Sequence, residues 1–268
     1  ANNTFINVTN AIRIEISLVQ TSENFVIANN TFIGSKENET LVILFGVPGN
    51  KGIRNFVITN NTLMNGGKIG AAFAENGVIS YNTILNSSHG IATRGVSNIR
   101  IERNLVQNCS GYGIYLGTQI GDSGTNNVTI MENQIIANNI GIARWYGSEP
   151  VKDVYVENNQ FINNTIHDVK ADFPGKFMKN IITSKSKLKL IDSGAMFTGT
   201  IGILGEPIQP SDVNGDGRVN IRDVAIVAKA YGTYEGTMGW NPNADIIEDG
   251  HVNIRDIGFV ARHFGLES

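Results

Sequence analysis

Residues 56–65 read Phe56-Val-Ile-Thr-Asn-Asn-Thr-Leu-Met-Asn65, and variants of this phrase recur along the chain. In each copy, alternating apolar residues precede an Asn, and a further apolar residue and usually a second Asn follow it. A distance of 21 to 31 residues separates the first Asn of one copy from that of the next. Such a repeat predicts one structural turn per copy, with loops of differing size between the turns. These anchor residues are Asn3, Asn30, Asn61, Asn82, Asn104, Asn133 and Asn159.

The alternation within each copy has a period of two residues, which predicts short β-strands rather than helices. A second signal lies between the copies, where Gly90-Ile91, Gly113-Ile114 and Gly141-Ile142 open another short strand. Three strands per copy bury their inward side chains when successive copies stack in parallel, about 4.8 Å apart. The sequence therefore predicts a right-handed parallel β-helix with three short strands per coil. In this fold the anchor Asn side chains stack as a ladder and satisfy backbone groups of the turn.

The repeat resembles those of the pectin-lyase-like superfamily over roughly residues 1–184. The resemblance implies a β-helix scaffold, which lyases, hydrolases, epimerases, adhesins and spacers share, so it leaves the activity open. Because the first phrase begins at its second half, we expect further coils before Ala1. Residues 185–210 lose the phrase, and we expect them to form terminal strands and a linker.

The composition of the 268 residues is that of a folded globular protein, with 41% hydrophobic and 17% charged residues. The single cysteine, Cys109, excludes an internal disulfide and a cysteine-based zinc site, and we expect it to be a packed residue. No apolar run is long enough for a membrane span, and no basic stripe could neutralise a nucleic-acid backbone. Acidity is concentrated in residues 212–268, which hold 9 acidic and 5 basic residues.

This acidic region opens with Asp212-Val-Asn-Gly-Asp-Gly-Arg-Val-Asn-Ile-Arg-Asp223. Oxygen-bearing side chains occupy loop positions 1, 3, 5, 9 and 12, and Gly occupies position 6, where the chain must turn sharply. This is the spacing with which a chain wraps around Ca²⁺. The predicted ligands are Asp212, Asn214, Asp216, the Arg218 carbonyl, Asn220 and Asp223.

A second copy follows 33 residues later, and 8 of the 14 positions that begin at Val219 and Val252 are identical. In this copy Ile247 replaces a side-chain ligand, so we expect the second of two calcium sites to be the weaker. Carboxylates in each loop repel one another without a metal, so we expect the region to fold only with calcium. The predicted ligands of the second site are Asp245, Asp249, the His251 carbonyl, Asn253 and Asp256. Each loop leads into one helix, with apolar residues at 224, 227, 228 and 231 and again at 257, 260, 261 and 264.

The duplicated loop and helix resemble a type I dockerin over residues 211–265, within a predicted domain of residues 211–268. The resemblance implies docking to a cohesin module of another protein, and an extracellular or cell-surface location. Dockerins often carry a Ser-Thr pair near the end of each loop, and this chain departs from that pattern at both loops. The predicted cohesin-binding residues are Ile221, Arg222, Ala228, Lys229, Ile254, Arg255, Ala261 and Arg262.

A candidate polysaccharide groove lies at the turn after the Gly-Ile strands of the predicted β-helix. Exposed aromatic rings stack on sugar faces, and Arg binds carboxylates. The alternative is that Trp145 and Tyr146 cover an apolar edge of a coil. The predicted carbohydrate-binding residues are Tyr115, Arg144, Trp145 and Tyr146, beside Arg94. Glu75, His89, Asp122 and Glu149 are possible companions.

The candidate catalytic residues are Arg94, Glu102, Arg144 and Glu157. Glu102 and Glu157 are expected in one outward column, two coils and roughly 10 Å apart, which is at the long end for an inverting glycosidase. Arg103 and Glu132 are expected one coil apart, as an ion pair between strands.

These patterns favour an extracellular protein whose β-helix binds or degrades polysaccharide and whose calcium-dependent dockerin anchors it to a cohesin-bearing partner. If the β-helix is an enzyme, a polysaccharide lyase or a glycoside hydrolase is expected. The alternative is a non-catalytic cell-surface adhesin or structural spacer that displays a dockerin.

Overall fold

The computed structural model describes residues 1–17, 20–34, 41–48, 52–118, 124–144, 147, 149–171, 173–182, 187–190, 196–198, 211–214, 218–247 and 249–265. The regular elements are β1 Thr4–Ile6, β2 Ile12–Glu15, β3 Ser22–Ala28, β4 Thr31–Ile33, β5 Leu41–Phe45, β6 Ile53–Thr59, β7 Thr62–Met64, β8 Lys68–Ala72, β9 Ala74–Ser80, β10 Thr83–Leu85, β11 Ile91–Arg94, β12 Ser97–Glu102, β13 Leu105–Gln107, β14 Tyr112–Gly117, β15 Thr125–Met131, β16 Gln134–Ile136, β17 Ile140–Arg144, β18 Val151–Glu157, β19 Gln160–Ile162, β20 His167–Ala171, β21 Gly175–Met178, β22 Ile181–Ile182, β23 Lys187–Leu190, β24 Met196–Thr198, α1 Ile221–Lys229 and α2 Ile254–Arg262.

Within the described ranges the strands form three parallel sheets of eight strands each, and the chain visits each sheet once per coil. Sheet 1 runs from β1 through every third strand to β22, sheet 2 from β2 to β23, and sheet 3 from β3 to β24. Neighbours within a sheet come from successive coils and pair in parallel. The predicted three-stranded coil of a parallel β-helix is therefore confirmed.

The period-two alternation places one column of apolar side chains inside each sheet. In sheet 1 the middle residue of every three-residue strand points inward, as Phe32 and Leu63 do in adjacent coils. Aromatic rings stack along the axis, with 5.0 Å between the ring centroids of Phe5 and Phe32. Gly77 interrupts such a column because a side-chain carbon there would lie 2.1 Å from the ring of Phe56. The core is thus a continuous stack that fills the coil interior.

The predicted Asn ladder is present at the turn between sheet 3 and sheet 1. In a typical rung, the Asn82 side-chain amide donates to Asn104 Oδ1 at 3.0 Å and to the Ile58 carbonyl at 2.9 Å. The backbone N–H of Asn82 donates to the same Asn104 oxygen at 2.9 Å. The ladder extends one rung beyond the predicted anchors, because Asn159 donates to Asn180 Oδ1 at 3.0 Å. Its side chains therefore satisfy turn groups that would otherwise be buried without partners.

Asn is abundant because the turns of the coil need left-handed backbone. Of the non-Gly residues with positive φ in the described ranges, most are Asn, the residue other than Gly that adopts this conformation most readily. Several of these also form exposed ladders that the sequence reasoning missed. In one of them Asn98 donates to Asn76 at 2.9 Å and Asn127 donates to Asn98 at 2.8 Å.

Helices α1 and α2 have nine residues each, and they pack against each other through Val227, Phe259 and Val260. Asn220 and Asn253 cap their N-termini, each within a capping box. The Gly232 N–H donates to the Val252 carbonyl and the Gly265 N–H to the Val219 carbonyl, both at 2.8 Å. The two copies are thus joined by equivalent hydrogen bonds, as expected for a duplication.

Only some of the apolar residues that the sequence places in and just after the two helices are buried. Val227 and Val260 are buried, and Val224 and Ile257 are half-buried. The other four are exposed, because the capped loops rotate the buried face toward positions 223, 227 and 230 and their counterparts in the second copy. These exposed apolar residues are Ala228, Tyr231, Ala261 and Phe264. No helix in the described ranges is long and apolar enough to cross a membrane.

We predict that Asn104→Ala lowers the free energy of unfolding by about 3 kcal/mol or more, because it leaves buried donors and acceptors on two coils without partners. Urea unfolding of the full chain in calcium measures the change. The matched control is Asn126→Ala, an exposed strand position that should change stability by less than about 0.5 kcal/mol. Equal effects of the two substitutions would contradict a structural role for the ladder.

Candidate functional site

A groove of about 230 Å³ lies on the outer face of sheet 2, across β5, β8, β11 and β14. Ile43, Gly70, Ala92 and Tyr115 follow one another in register on these four strands. The two middle residues have little or no side chain, so a depression forms between the isoleucine and the tyrosine. The lining residues are Ile43, Leu44, Phe45, Lys68, Gly70, Ala71, Ala72, Ala92, Thr93, Arg94, Tyr115 and Gly117.

Arg94 lies at one rim of the groove, beside two aromatic rings that contact each other edge to face with 5.8 Å between their centroids. Its guanidinium carbon is 5.6 Å from the ring centroid of Phe45 and 5.2 Å from that of Phe73. Both distances are within the range of cation–π attraction. The Nε of Arg94 is buried and has no hydrogen-bond partner among the described residues. The structure therefore brings Arg94 and Tyr115, two of the predicted residues, to the same groove.

Tyr115 belongs to an aromatic cluster that continues away from the groove. The ring centroid of His89 is 5.6 Å from that of Tyr112 and 5.4 Å from that of Tyr115. His89 Nδ1 accepts the Tyr112 backbone N–H at 3.1 Å, so this nitrogen carries no proton in the arrangement. His89 thus supports the tyrosine that forms the groove wall.

Arg144 does not line the groove, although it was predicted to bind sugar or to act in catalysis. Its Nη2 donates to the carbonyls of Gly147 and Glu149, at 2.7 and 3.0 Å. Through these bonds the guanidinium holds the backbone of Gly147 and Glu149, which follow β17. Trp145 and Tyr146, the other two predicted sugar-binding residues, lie outside the described residues, and so does Asp122.

Glu102 and Glu157 occupy one outward column of sheet 3, as predicted, with Met131 between them. Two coil spacings separate them, roughly 10 Å. Glu102 is only 7% exposed and accepts a hydrogen bond of 2.5 Å from Arg100 on its own strand. The strand that contains Met131 therefore lies between these two carboxylates, and Glu102 is ion-paired with Arg100.

The predicted ion pair between Arg103 and Glu132 is confirmed, with 2.6 Å between Nε and Oε2. Arg103 also donates to the Tyr81 hydroxyl at 2.8 Å, and these two hydrogen bonds raise the pKa of the guanidinium. All three residues have positive φ, at a turn position that Asn occupies in other coils. The cluster links three successive coils along the outside of the turn.

Cys109 is 2% exposed, in agreement with its prediction as a packed residue. Its backbone N–H donates to Asn138 Oδ1 at 2.9 Å, the first rung of a second buried ladder that continues to Asn164. Burial raises the pKa of the thiol to about 12, and a backbone hydrogen bond involving Ser87 opposes part of this rise. Such a thiol is a poor nucleophile.

The first predicted calcium loop is organised by Asp223, which is fully buried. Its Oδ1 accepts the Asn214 N–H at 3.1 Å, and its Oδ2 accepts the Asn220 N–H at 2.8 Å. The carboxylate at position 12 is thus fixed to the backbone of positions 3 and 9. The Arg218 carbonyl accepts the Asn220 side-chain amide at 3.2 Å, while Asp216 lies outside the described residues.

The second loop repeats this arrangement around Asp256, which accepts the N–H groups of Ile247 and Asn253 at 3.1 and 2.8 Å. Burial raises the pKa of the Asp245 carboxyl, and the nearby Asp256 and Asp249 charges add to the rise. The N–H groups of Gly250 and Asp249 lower that pKa in part.

One feature distinguishes the second loop from the first. Ile247 is 2% exposed, whereas the equivalent Asn214 is exposed, so a packed side chain stands at a predicted ligand position. This reduces the oxygen donors that the second loop can offer to a cation. Asp249 also forms an ion pair of 3.2 Å with Arg255.

The donor chemistry of both loops fits calcium, which binds carboxylate, amide and carbonyl oxygens. The carboxylates of Asp223 and Asp256 accept backbone N–H groups, which fix their orientation within the loops. No group of three or more His, Cys, Asp or Glu side chains meets the geometry of a metal cluster within the described ranges. Such a cluster is not required here, because Asn side chains and backbone carbonyls supply part of each predicted ligand set.

The eight predicted cohesin-binding residues are all exposed. Ile221 and Ile254 begin the two helices and are 66% and 65% exposed, an unusual state for isoleucine. Each is followed by an exposed Arg, and the exposed Ala and basic residue lie about two turns further along the helix. The duplication therefore presents two equivalent surfaces.

We predict that Cys109 in the folded chain resists alkylation at pH 8, because a thiol with a pKa of about 12 is almost entirely protonated at that pH. Iodoacetamide labelling followed by intact-mass measurement tests this. The same protein in denaturant is the control and should be labelled completely. Rapid stoichiometric labelling of the folded chain would show that the thiol is accessible and ionised.

Comparison with known proteins agrees with both halves of this description. The family model described as a right-handed beta helix region matches residues 1–166, and that of the dockerin type I domain matches residues 210–265. No curated protein and no solved structure matches the chain. Type I dockerin domains bind calcium and attach their proteins to cohesin partners, typically at or outside the cell surface. The chain therefore belongs to the right-handed β-helix family and carries a type I dockerin domain.

Proposed function

We propose that this chain is an extracellular or cell-surface protein that binds polysaccharide in the groove of sheet 2. Its dockerin holds it on a cohesin-bearing partner. The groove is the single observation that carries the first half of the proposal. It combines a shallow apolar floor, Gly70 and Ala92, with an aromatic wall, Tyr115. Concave and mostly apolar surfaces with a few polar groups are typical of ligand sites.

The lining of the groove favours binding over hydrolysis. Its residues include no Asp or Glu in the part of the chain that the structure describes. Glycoside hydrolysis requires two carboxylates on either side of the bond, and the best outward pair, Glu102 and Glu157, lies on a different sheet. A lyase or hydrolase remains the alternative if activity is found, and an adhesin or spacer is the alternative if no polysaccharide binds.

We place the β-helix in residues 1–184, the connecting strands and linker in residues 185–210 and the dockerin in residues 211–268. The exposed pairs Ile221-Arg222 and Ile254-Arg255 begin the two docking surfaces, and Ala228-Lys229 and Ala261-Arg262 continue them. Isoleucine where many dockerins carry a polar residue favours a cohesin with an apolar contact surface.

The two loops are proposed to bind two calcium ions with unequal affinity. Asn214 and Ile247 occupy equivalent positions, but only the first offers a side-chain oxygen.

We predict that the full chain is retained on a polysaccharide column without forming product, and that Tyr115→Ala weakens retention about tenfold or more. The assay uses a panel of acidic and neutral polysaccharides in calcium. It follows retention, new reducing ends and the ultraviolet absorbance of unsaturated uronates.

The matched control is Tyr155→Ala, which removes a half-buried tyrosine from the outer face of sheet 3 and should leave retention unchanged. New reducing ends together with the ultraviolet absorbance of unsaturated uronates would establish a lyase. New reducing ends without that absorbance would establish a hydrolase. Neither retention nor product on any polysaccharide would favour a displayed adhesin or spacer.

Calorimetric titration of the full chain should resolve a tighter and a weaker calcium site. Asn214→Ile gives the first loop the residue of the second, and we expect it to bring the tighter site down to the affinity of the weaker one. The control is Asn126→Ala, which lies outside both loops. Two equally tight sites in the unaltered chain would refute the proposed asymmetry.

A further inference from the structure

Arg94 brings positive charge to the groove of sheet 2, and we infer that the groove binds the anionic group of an acidic saccharide, a carboxylate or a sulfate, through Arg94. The inference rests on the proposed function, because it names the class of sugar that the groove accepts. It is carried by the position of Arg94 and by the absence of acidic residues from the described lining.

The two charged residues of the described lining are both cations, although the chain as a whole has a net charge of −3. Lys68 begins β8, and Arg94 ends the neighbouring strand β11. A concave apolar surface strengthens the field of such charges, because little water screens them. The groove therefore attracts anions even though the molecule is slightly acidic.

Arg94 is held in a manner that favours a ligand. Aromatic rings attract a guanidinium through their faces but do not accept strong hydrogen bonds, so the contacts with Phe45 and Phe73 leave the N–H donors available. The Nε atom is buried and has no partner among the residues that the structure describes. An unsatisfied buried donor is unfavourable, and a carboxylate or sulfate oxygen would satisfy it.

The ring of Phe73 makes contacts that glycine could not make. Phe73 has a φ of 53°, in the left-handed region where a bulky residue is strained. The equivalent residue of the next coil is Gly95, which also has a positive φ, of 58°. The buried ring of Phe73 packs edge to face against Phe45 and lies 5.2 Å from the guanidinium carbon of Arg94. These contacts compensate the backbone strain at this position.

The expected ligand combines a charged group with an apolar sugar face. Arg94 supplies two or more N–H donors in a fixed fork, which suits planar carboxylates and sulfate oxygens. The small residues Gly70 and Ala92 leave room for a pyranose ring next to Tyr115. Neutral sugars would use only the apolar part of this surface.

The test compares three oligosaccharides of matched length on the full chain: a uronate, its carboxyl-reduced neutral form and a sulfated neutral form. Isothermal titration gives their affinities in calcium at low and high salt. We expect one or both anionic forms to bind at least about tenfold more tightly than the neutral form, and to lose this advantage at high salt. Whether the uronate or the sulfated form binds more tightly identifies the source of the charge.

Arg94→Gln should weaken binding of the anionic form by about 10- to 100-fold and leave the neutral form nearly unchanged. Arg94→Lys keeps the charge but loses the fork, so an intermediate loss with retained salt dependence is expected. The matched control, Arg54→Gln, removes an exposed arginine that pairs with Glu23 on sheet 3 and should have no effect. Thermal unfolding of each variant shows that the β-helix is intact.

Equal affinity for neutral and anionic forms, with no effect of either Arg94 variant, would overturn the inference and leave polysaccharide binding standing. Loss of binding in Arg94→Gln to the neutral and anionic forms alike would also overturn it, because the residue would then shape the groove rather than recognise charge. Absence of binding to all three forms and to the polysaccharide panel would overturn the proposed function as well.

Discussion

The buried amide ladder at the turn before sheet 1 is the interaction on which the rest of the β-helix depends. Each rung joins a side-chain amide, a backbone N–H and carbonyls of two coils, as at Asn82 and Asn104. The strands that follow have only three residues, so they cannot set their own register by length. A slip of one residue would turn every inward side chain outward. The ladder prevents this, and the alignment of the groove residues across four coils follows from it.

The left-handed turns explain why Asn is so abundant in the chain and why other residues occupy a few of these turn positions. Asn adopts positive φ with little strain, and its amide also pairs with the next coil, so one residue type serves two needs. Four of the other residues that take such a position form specific contacts. Phe73 lies under Arg94, and Tyr81, Arg103 and Glu132 form a connected cluster on consecutive coils. Strain at these turns is thus compensated by contacts that Asn or Gly would not provide.

The dockerin is stabilised by a different principle. Its helices are short, and each loop carboxylate at position 12 is buried and held by backbone N–H groups. Type I dockerin domains bind calcium, and a bound cation would compensate the charge of the remaining loop carboxylates. The second loop relies more on packing, since Ile247 is buried where Asn214 is exposed.

The sequence by itself determined the coil, the ladder, the calcium loops and their duplication, because each follows from residue spacing along a few consecutive positions. The sequence also predicted that Glu102 and Glu157 share an outward column and that Arg103 pairs with Glu132. The reason is that the repeat sets the register between stacked coils. Tertiary structure alone decided that Arg94 lies beside the rings of Phe45 and Phe73 and that Arg144 bonds the carbonyls of Gly147 and Glu149. It also decided which apolar helix residues are exposed. These outcomes depend on side-chain direction and on contacts between coils whose loops differ in length, and no local pattern encodes either.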